Sequence, residues 1–183
     1  DAHTHLPWAG SREMEFAQRL AGRSYEEIAA AGGGILSTVR STRAANRGEL
    51  VAAMLPRLEH MLACGTTTAE AKSGYGLSLG DELRQLEAIR EVARLQPVEL
   101  VPTLLAAHEV PPEHCEERAR YLDLVCEEIV PAVAGRGLAR FCDVFCEQGV
   151  FSADESRRVL EAGRAHGLLP RLHADEFVDS GGA

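Results

Sequence analysis

TTTAEAKSGYGLSLGDELRQLEAIREVARLQPVELVPTLLAAH, residues 66–108, decides the fold. It opens on a β-branched run, TTTAEAK at 66–72, and breaks at the glycine-flanked loop KSGYG. Residues 79–95 then carry Leu79, Leu83, Leu86, Ile89, Val92 and Ala93 at helical spacing, and the stretch closes on a second apolar run, VELVPTLLA at 98–106. Strand, helix and strand in that order are the unit of a parallel sheet covered by helices. The same rhythm continues downstream. FCDVFC at 141–146 and LLPRLHA at 168–174 read as strands, and 152–166 reads as a helix carrying Val159, Leu160 and Ala162 behind a Ser152–Glu155 capping box.

Upstream the chain is more helical. EMEFAQRLAG, SYEEIAAAG with Ser24 and Glu27 as a second capping box, and a long segment at 47–63 closed by Cys64-Gly65 all read as helices, while Gly32-Gly33-Gly34 reads as a loop. Four strands within the chain, and one that ends at DAHTH, give about five βα units. The expected class is α/β, a TIM-barrel-like (β/α)8 fold of which these 183 residues cover only part, since eight units typically take about 250 residues. Neither end reads as a natural terminus. The expectation is a single partial barrel domain over 1–183, cut on both sides, with open parallel edges.

Composition narrows the partners. Nineteen Lys and Arg against 28 Asp and Glu leave a net charge of −9, which repels phosphates and anionic headgroups, so neither nucleic acid nor membrane is expected and a small molecule is. No apolar run approaches the roughly 20 residues of a membrane span, and DAHTH is no signal peptide, so the cytoplasm is the default compartment. The five cysteines form an odd set without C-x-x-C, and reduced thiols are expected, with Cys142 and Cys146 as small core residues.

The chemistry gathers at strand ends. His3 and His5, one residue apart, point to one face of an extended strand and fit either a shared cation or two ordinary histidines. His173 ends LLPRLHA and projects toward the same rim. Three neutral imidazoles suit zinc, iron or nickel, and bound water of lowered pKa is then a nucleophile near neutral pH. Asp175 and Glu176 follow His173 at once, where a carboxylate can shuttle a proton or simply sit in a solvated loop. Tyr75 in KSGYG and His108 at the end of VELVPTLLA converge on the same rim, as substrate contacts or as packing. Arg12, on the loop after DAHTH, can fork onto a carboxylate or stay on the surface. His60, His114 and His166 receive no role, and the acidic pairs at 116–117 and 127–128 read as solvated helix faces.

Taken together, DAHTHLPWAGSREMEFAQRLAGRSYEEIAAAGGGILSTVR, EAKSGYGL, LAAHEVPPE and LHADEF resemble the imidazolonepropionases, a family of the metal-dependent amidohydrolase superfamily. The resemblance runs along nearly the whole chain in the family's order. It implies hydrolysis of 4-imidazolone-5-propanoate to N-formimidoyl-L-glutamate in histidine degradation, with one divalent zinc or iron ion. It implies His3, His5 and His173 as metal ligands. Arg12, Tyr75, His108 and Glu176 match substrate-contacting positions, with Tyr25 as a further pocket residue; Glu176 and His108 carry the acid–base roles. In this reading Arg12 holds the propanoate carboxylate, Tyr75 and His108 bind polar edges of the ring, and Glu176 orients the attacking water or passes its proton to the ring nitrogen. Related enzymes suggest a homodimer, although no surface seam in the sequence argues for one. Similar proteins also have an N-terminal β-rich segment, and last strands that supply an aspartate ligand and a further histidine; neither is present here, so the piece alone is expected to be unstable or inactive.

Two other functions fit the same residues. A deaminase or cyclic-amide hydrolase of the same superfamily keeps the histidines and HADE but has no use for Arg12 on a substrate without a carboxylate. A catalytically inactive binding protein keeps the scaffold and has no need of stoichiometric metal.

Overall fold

The computed structural model describes every residue except 25, 26, 29, 30 and 180. Its centre is a curled, all-parallel sheet: β1 (Thr68–Lys72), β2 (Glu99–Ala107), β3 (Phe141–Cys146), then the two short pieces β4 (Leu169–Pro170) and β5 (His173–Ala174), both paired with β3. β1 pairs with β2 from Thr68↔Glu99 to Lys72↔Thr103, and β2 with β3 through Thr103↔Phe141 and Ala107↔Val144. On the far side of β1, residues 1–4 run alongside it: the Glu70 amide donates to the Asp1 carbonyl and the Lys72 amide to the Thr4 carbonyl, at 2.9 and 3.0 Å. The segment expected to end at DAHTH therefore lies against the sheet edge.

Helices α1 (Glu13–Leu20), α2 (Ile35–Ala44) and α3 (Arg47–Ala63) precede β1, α4 (Leu79–Val92) joins β1 to β2, and α7 (Ala153–Ala165) joins β3 to β4. The chain places their ends by capping. Asn46 with Glu49 and Ser152 with Glu155 form reciprocal boxes, Ser78 accepts from the Asp81 amide, and Ser24 and Glu27 exchange the two hydrogen bonds of a box. Each such cap is worth about 1 kcal/mol. The SYEEIAAAG helix itself falls partly outside the described residues.

The crossover from β2 to β3 is a helical stretch that the sequence reading did not place. After a short 3-10 turn at Pro112–His114 come α5 (Arg118–Leu124), a π-turn at Val125–Ile129 and α6 (Val130–Gly135). Pro131 explains the π-turn: it has no N–H to give the preceding turn, and its ring pushes on the carbonyl four residues back. Glu127 and Glu128 are exposed on this helical stretch, as expected, whereas Glu116 and Glu117 are exposed in the turn before α5 and not on a helix face.

Strand alternation sorts the residues by face. Ala69 and Ala71 of β1 and Leu104 and Ala106 of β2 pack with Leu50, Met54 and Leu58 of α3, Leu86 and Ile89 of α4, and Tyr121 and Ile129 of the crossover in one core. Glu70 and Lys72 alternate with those alanines and point to the other side. Buried Tyr121 donates its hydroxyl to the Ala106 carbonyl at 2.7 Å, which satisfies its one polar atom.

One strand expectation needs correction. LLPRLHA is not continuous but breaks into β4 and β5 around Arg171 and Leu172, although both pieces keep the same offset against β3. Pro170 has no amide to donate to the ladder, and the Arg171 side chain leaves the strand to lie over the Phe141 ring and beside Glu70. The cysteines are all free, and Cys142 and Cys146 are buried in the sheet, as expected. Among the described residues no helix is long and apolar enough to cross a membrane.

Candidate metal centre and substrate pocket

The first histidines are set by the segment beside β1 and by one arginine behind it. Arg57 of α3 donates to the carbonyls of Leu6 and Trp8, at 2.7 and 2.9 Å, while its guanidinium stacks on the Trp8 ring. With Leu6 buried, the chain leaves the sheet edge with a fixed direction. His3 and His5 then face the same way, their Nε2 atoms 3.3 Å apart. His173 comes from β5, where its register partner is Phe145. One ligand-capable atom from each of His3, His5 and His173 lies within 4.8 Å of the others.

This cluster fits a cation. The 3.3 Å Nε2···Nε2 contact is a hydrogen bond if one ring carries its proton there and brings two ligand atoms to one side if neither does, and the buried His5 Nδ1 and both ring nitrogens of His173 have no hydrogen-bond partner among the described residues. Burial lowers the basicity of His3, and burial together with its imidazole neighbours brings His5 down to about 2, so both rings are neutral at pH 7, the state that binds metal.

Behind the histidines lies a buried charged network. Lys72 Nζ sits 2.6 Å from Asp143 Oδ2 and 2.8 Å from Glu70 Oε2, all three side chains almost fully buried. Thr103 donates to Glu70, and Arg171 Nε approaches the same carboxylate at 3.2 Å. Asp143 Oδ2 also lies 3.0 Å from His173 Nδ1, a close but bent contact. Burial alone would raise the Asp143 carboxyl; His173 and Lys72 together hold it below the usual range.

The remaining candidates divide in two. Tyr75 and His108 join the cluster: the His5 and His108 rings stack at 5.2 Å, and Tyr75 lies 5.8 Å from His5 and 5.3 Å from His108. His108 Nδ1 is 2.9 Å from the Gly74 carbonyl. A carbonyl only accepts, so the neutral ring carries its proton on Nδ1 and keeps an Nε2 lone pair. Arg12 adjoins the cluster through Tyr75: the two line a cavity of about 210 Å3 with Trp8, Ser37, Thr38 and Ser41. Its Nε is held by Glu15 at 2.8 Å, and among the described residues neither Nη is engaged. Glu176 stands apart. It follows β5 as an exposed residue, in a loop whose Phe177 amide donates to Glu147 at 2.8 Å. Tyr25 lies outside the described residues.

Sequence reasoning missed Glu70, Lys72, Thr103, Asp143 and Arg171 as a network, and Glu82 and Gln85 as supports of KSGYG. A signal was there for the first group: charges at alternate positions of otherwise apolar strands, as in TAEAK and FCDVFC, cannot face a packed core unpaired.

Comparison with known proteins follows this geometry. The chain is 60% identical over 184 residues to an imidazolonepropionase of Symbiobacterium thermophilum, 58% over 181 residues to that of Myxococcus xanthus and 55% over 183 residues to that of Caulobacter vibrioides. These alignments cover 99–100% of this chain. Along its whole length the chain is thus similar to part of the imidazolonepropionases. It spans 43% of the first two relatives and 46% of the third, less than half of each imidazolonepropionase. No protein-family model matches the chain. A crystal structure of a dipeptide epimerase from Methylococcus capsulatus, matched at 13% identity and a TM-score of 0.28 over 72% of this chain and 46% of that one, is too distant to bear on fold or function.

Proposed function

We propose that the protein carrying this chain is a hydrolase that opens the ring of 4-imidazolone-5-propanoate to N-formimidoyl-L-glutamate, a step of histidine degradation. The observation that carries this reading is the gathering of His3, His5 and His173 with His108 and Tyr75, the last of which shares a cavity with Arg12, in a chain whose imidazolonepropionase relatives match it end to end. His3, His5 and His173 would hold one divalent ion, zinc or iron, which when bound supplies Lewis-acid polarisation and more acidic water.

The chain's own residues do the rest. Arg12 offers its free Nη groups to the propanoate carboxylate, a charge-assisted contact that sets the substrate's orientation. Tyr75 has its phenol pushed up by burial, with Arg12 opposing, so it stays protonated and donates to a polar edge of the ring. His108, brought down to about 4 chiefly by burial, is neutral at pH 7 and accepts through Nε2. Glu176, three residues after His173, orients the attacking water or returns its proton to the leaving nitrogen. The sheet is read as part of a (β/α)8 barrel within a longer cytoplasmic protein, in which other segments supply a β-rich N-terminal part and an aspartate ligand, and a homodimer is the expected assembly.

Turnover of 4-imidazolone-5-propanoate by the intact protein, followed as ultraviolet absorbance loss beside His173→Ala, tests the proposal. Activity in the parent that vanishes in the variant is expected. A folded, metal-loaded parent that leaves this substrate untouched removes it.

A further inference from the structure

The loop bearing Tyr75 is held by two side chains of α4 to which the chemistry so far assigns nothing. Glu82 and Gln85 lie one helical turn apart, both fully buried. Glu82 Oε2 accepts the Gly74 amide at 3.2 Å, and its Oε1 accepts the Gly76 and Leu77 amides at 2.9 Å each. Gln85 Oε1 accepts the amide between them, that of Tyr75, at 3.3 Å, and its Nε2 donates to the Asp81 carbonyl and to Glu82. Four consecutive loop amides, 74–77, thus end on two side chains. The glycines permit this closeness: a Cβ at Gly76 would stand 2.6 Å from Gln85 Nε2, and one at Gly74 2.9 Å from His108 Nδ1.

The peptide unit joining Gly74 to Tyr75 is the link. Its N–H is bound by Gln85, and its C=O receives the His108 Nδ1 proton. Because a peptide is planar and rigid, fixing one end fixes the other. We propose that Gln85, braced by Glu82, is a positioning residue that fixes His108 as the Nδ1–H tautomer, leaving Nε2 as the acceptor turned to the substrate. A hydrogen bond to one ring nitrogen decides what the other can do. Without Gln85 this peptide loses the hold on its N–H, the Gly74 carbonyl can tilt away from Nδ1 although Glu82 still holds the amides on either side, and the imidazole can carry its proton on the nitrogen that must be bare. The kinetic consequence rests on the proposed hydrolase function; the tautomer does not.

Nitrogen-15 NMR of the metal-loaded, histidine-labelled intact protein reads the tautomer directly, with the His108 signals identified by their loss in His108→Gln. In the parent, a protonated Nδ1 and a bare Nε2 are expected. In Gln85→Met the two forms should mix, and kcat for 4-imidazolone-5-propanoate should fall about tenfold or more with KM little changed. Leu86→Val, on the same helix but in the core, should lower the melting temperature while leaving tautomer and kcat alone. A parent His108 protonated on Nε2 overturns the proposal without any variant, as does an unchanged tautomer in Gln85→Met. If Gln85→Met does not fold, Gln85→Asn, which keeps the amide but shortens its reach, takes its place under the same two outcomes. A parent that does not turn over the substrate defeats the functional reading alone, because the tautomer comparison still stands or falls by itself.

Discussion

Asp143 Oδ2 lies 3.0 Å from Nδ1 of His173, and the same oxygen is 2.6 Å from Lys72 Nζ. One carboxylate therefore neutralises a buried cation and stands beside a candidate metal ligand, close enough to orient it once the contact straightens. Carboxylates behind ligating histidines commonly support metal affinity by about tenfold to hundredfold. Asp143→Asn should lose zinc to a chelator at a correspondingly lower chelator concentration, as read by competition titration of the intact protein. Unchanged retention would show that the contact orients nothing.

Lys72 is the cation between two buried carboxylates, Glu70 and Asp143. Lys72→Met should leave Glu70 with Arg171 and Asp143 with His173 as the remaining compensation, at a cost of about 3–5 kcal/mol in denaturant unfolding. Adding Glu70→Gln and Asp143→Asn to it should recover most of that loss, because the penalty comes from stranded charge and not from lost attraction. A single variant as stable as the parent would contradict this.

Arg12 distinguishes substrates. With Nε on Glu15 and Arg12 in the lining of the cavity, its proposed partner is a carboxylate. Arg12→Ala should lower kcat/KM for the propanoate substrate by several kcal/mol of transition-state stabilisation, while a ring substrate lacking the carboxylate is little affected. Equal losses on both would make Arg12 a structural support only.

Gly76 packs where no side chain fits, 2.6 Å from the Asp81 backbone carbon for an added Cβ. Gly76→Ala must push the Tyr75 loop off α4 and strand buried amides, costing about 1–3 kcal/mol for each one left unpaired. A melting curve unchanged from the parent would mean that the loop has slack the packing does not reveal.

Glu155 joins α5 to α7: Arg118 holds its carboxyl below the usual range against a smaller opposing effect of burial, with the Ser152 amide adding to Arg118. A depressed carboxylate contributes stability that is present above the unfolded value near 4.5 and is lost as pH falls through the lower folded value. Glu155→Gln should accordingly flatten the fall in melting temperature over that acid range. The pair is partly exposed, so the effect is expected to be small and salt-sensitive.

The fold was legible where periodicity was strong. β1, β2 and β3 fall within a residue or two of their apolar runs, whereas α4 starts at Leu79 as read but ends at Val92, three residues short of the helix read over 79–95. The β2–β3 crossover was not, since Pro131 and the short pieces on either side give no long helical repeat. His3, His5, His108 and Tyr75 could be read as one rim because strand ends of a parallel sheet share an edge. The supports could not: Glu82 and Gln85 look like ordinary polar positions of an amphipathic helix, and only the fold shows that their side is turned toward a loop. Glu176 was legible as a residue type, but its exposure on the loop after β5 follows from packing that no spacing encodes.

Arg171 donates to the carbonyl of Ala2, 169 positions earlier, and His3 meets His173 across a similar separation. Contacts so distant along the chain carry the full entropy of loop closure and form only after the intervening units have docked. The three candidate ligands come together only when both ends of the described sheet are in place, so a chain with an intervening unit misplaced would offer an ion two imidazoles, not three.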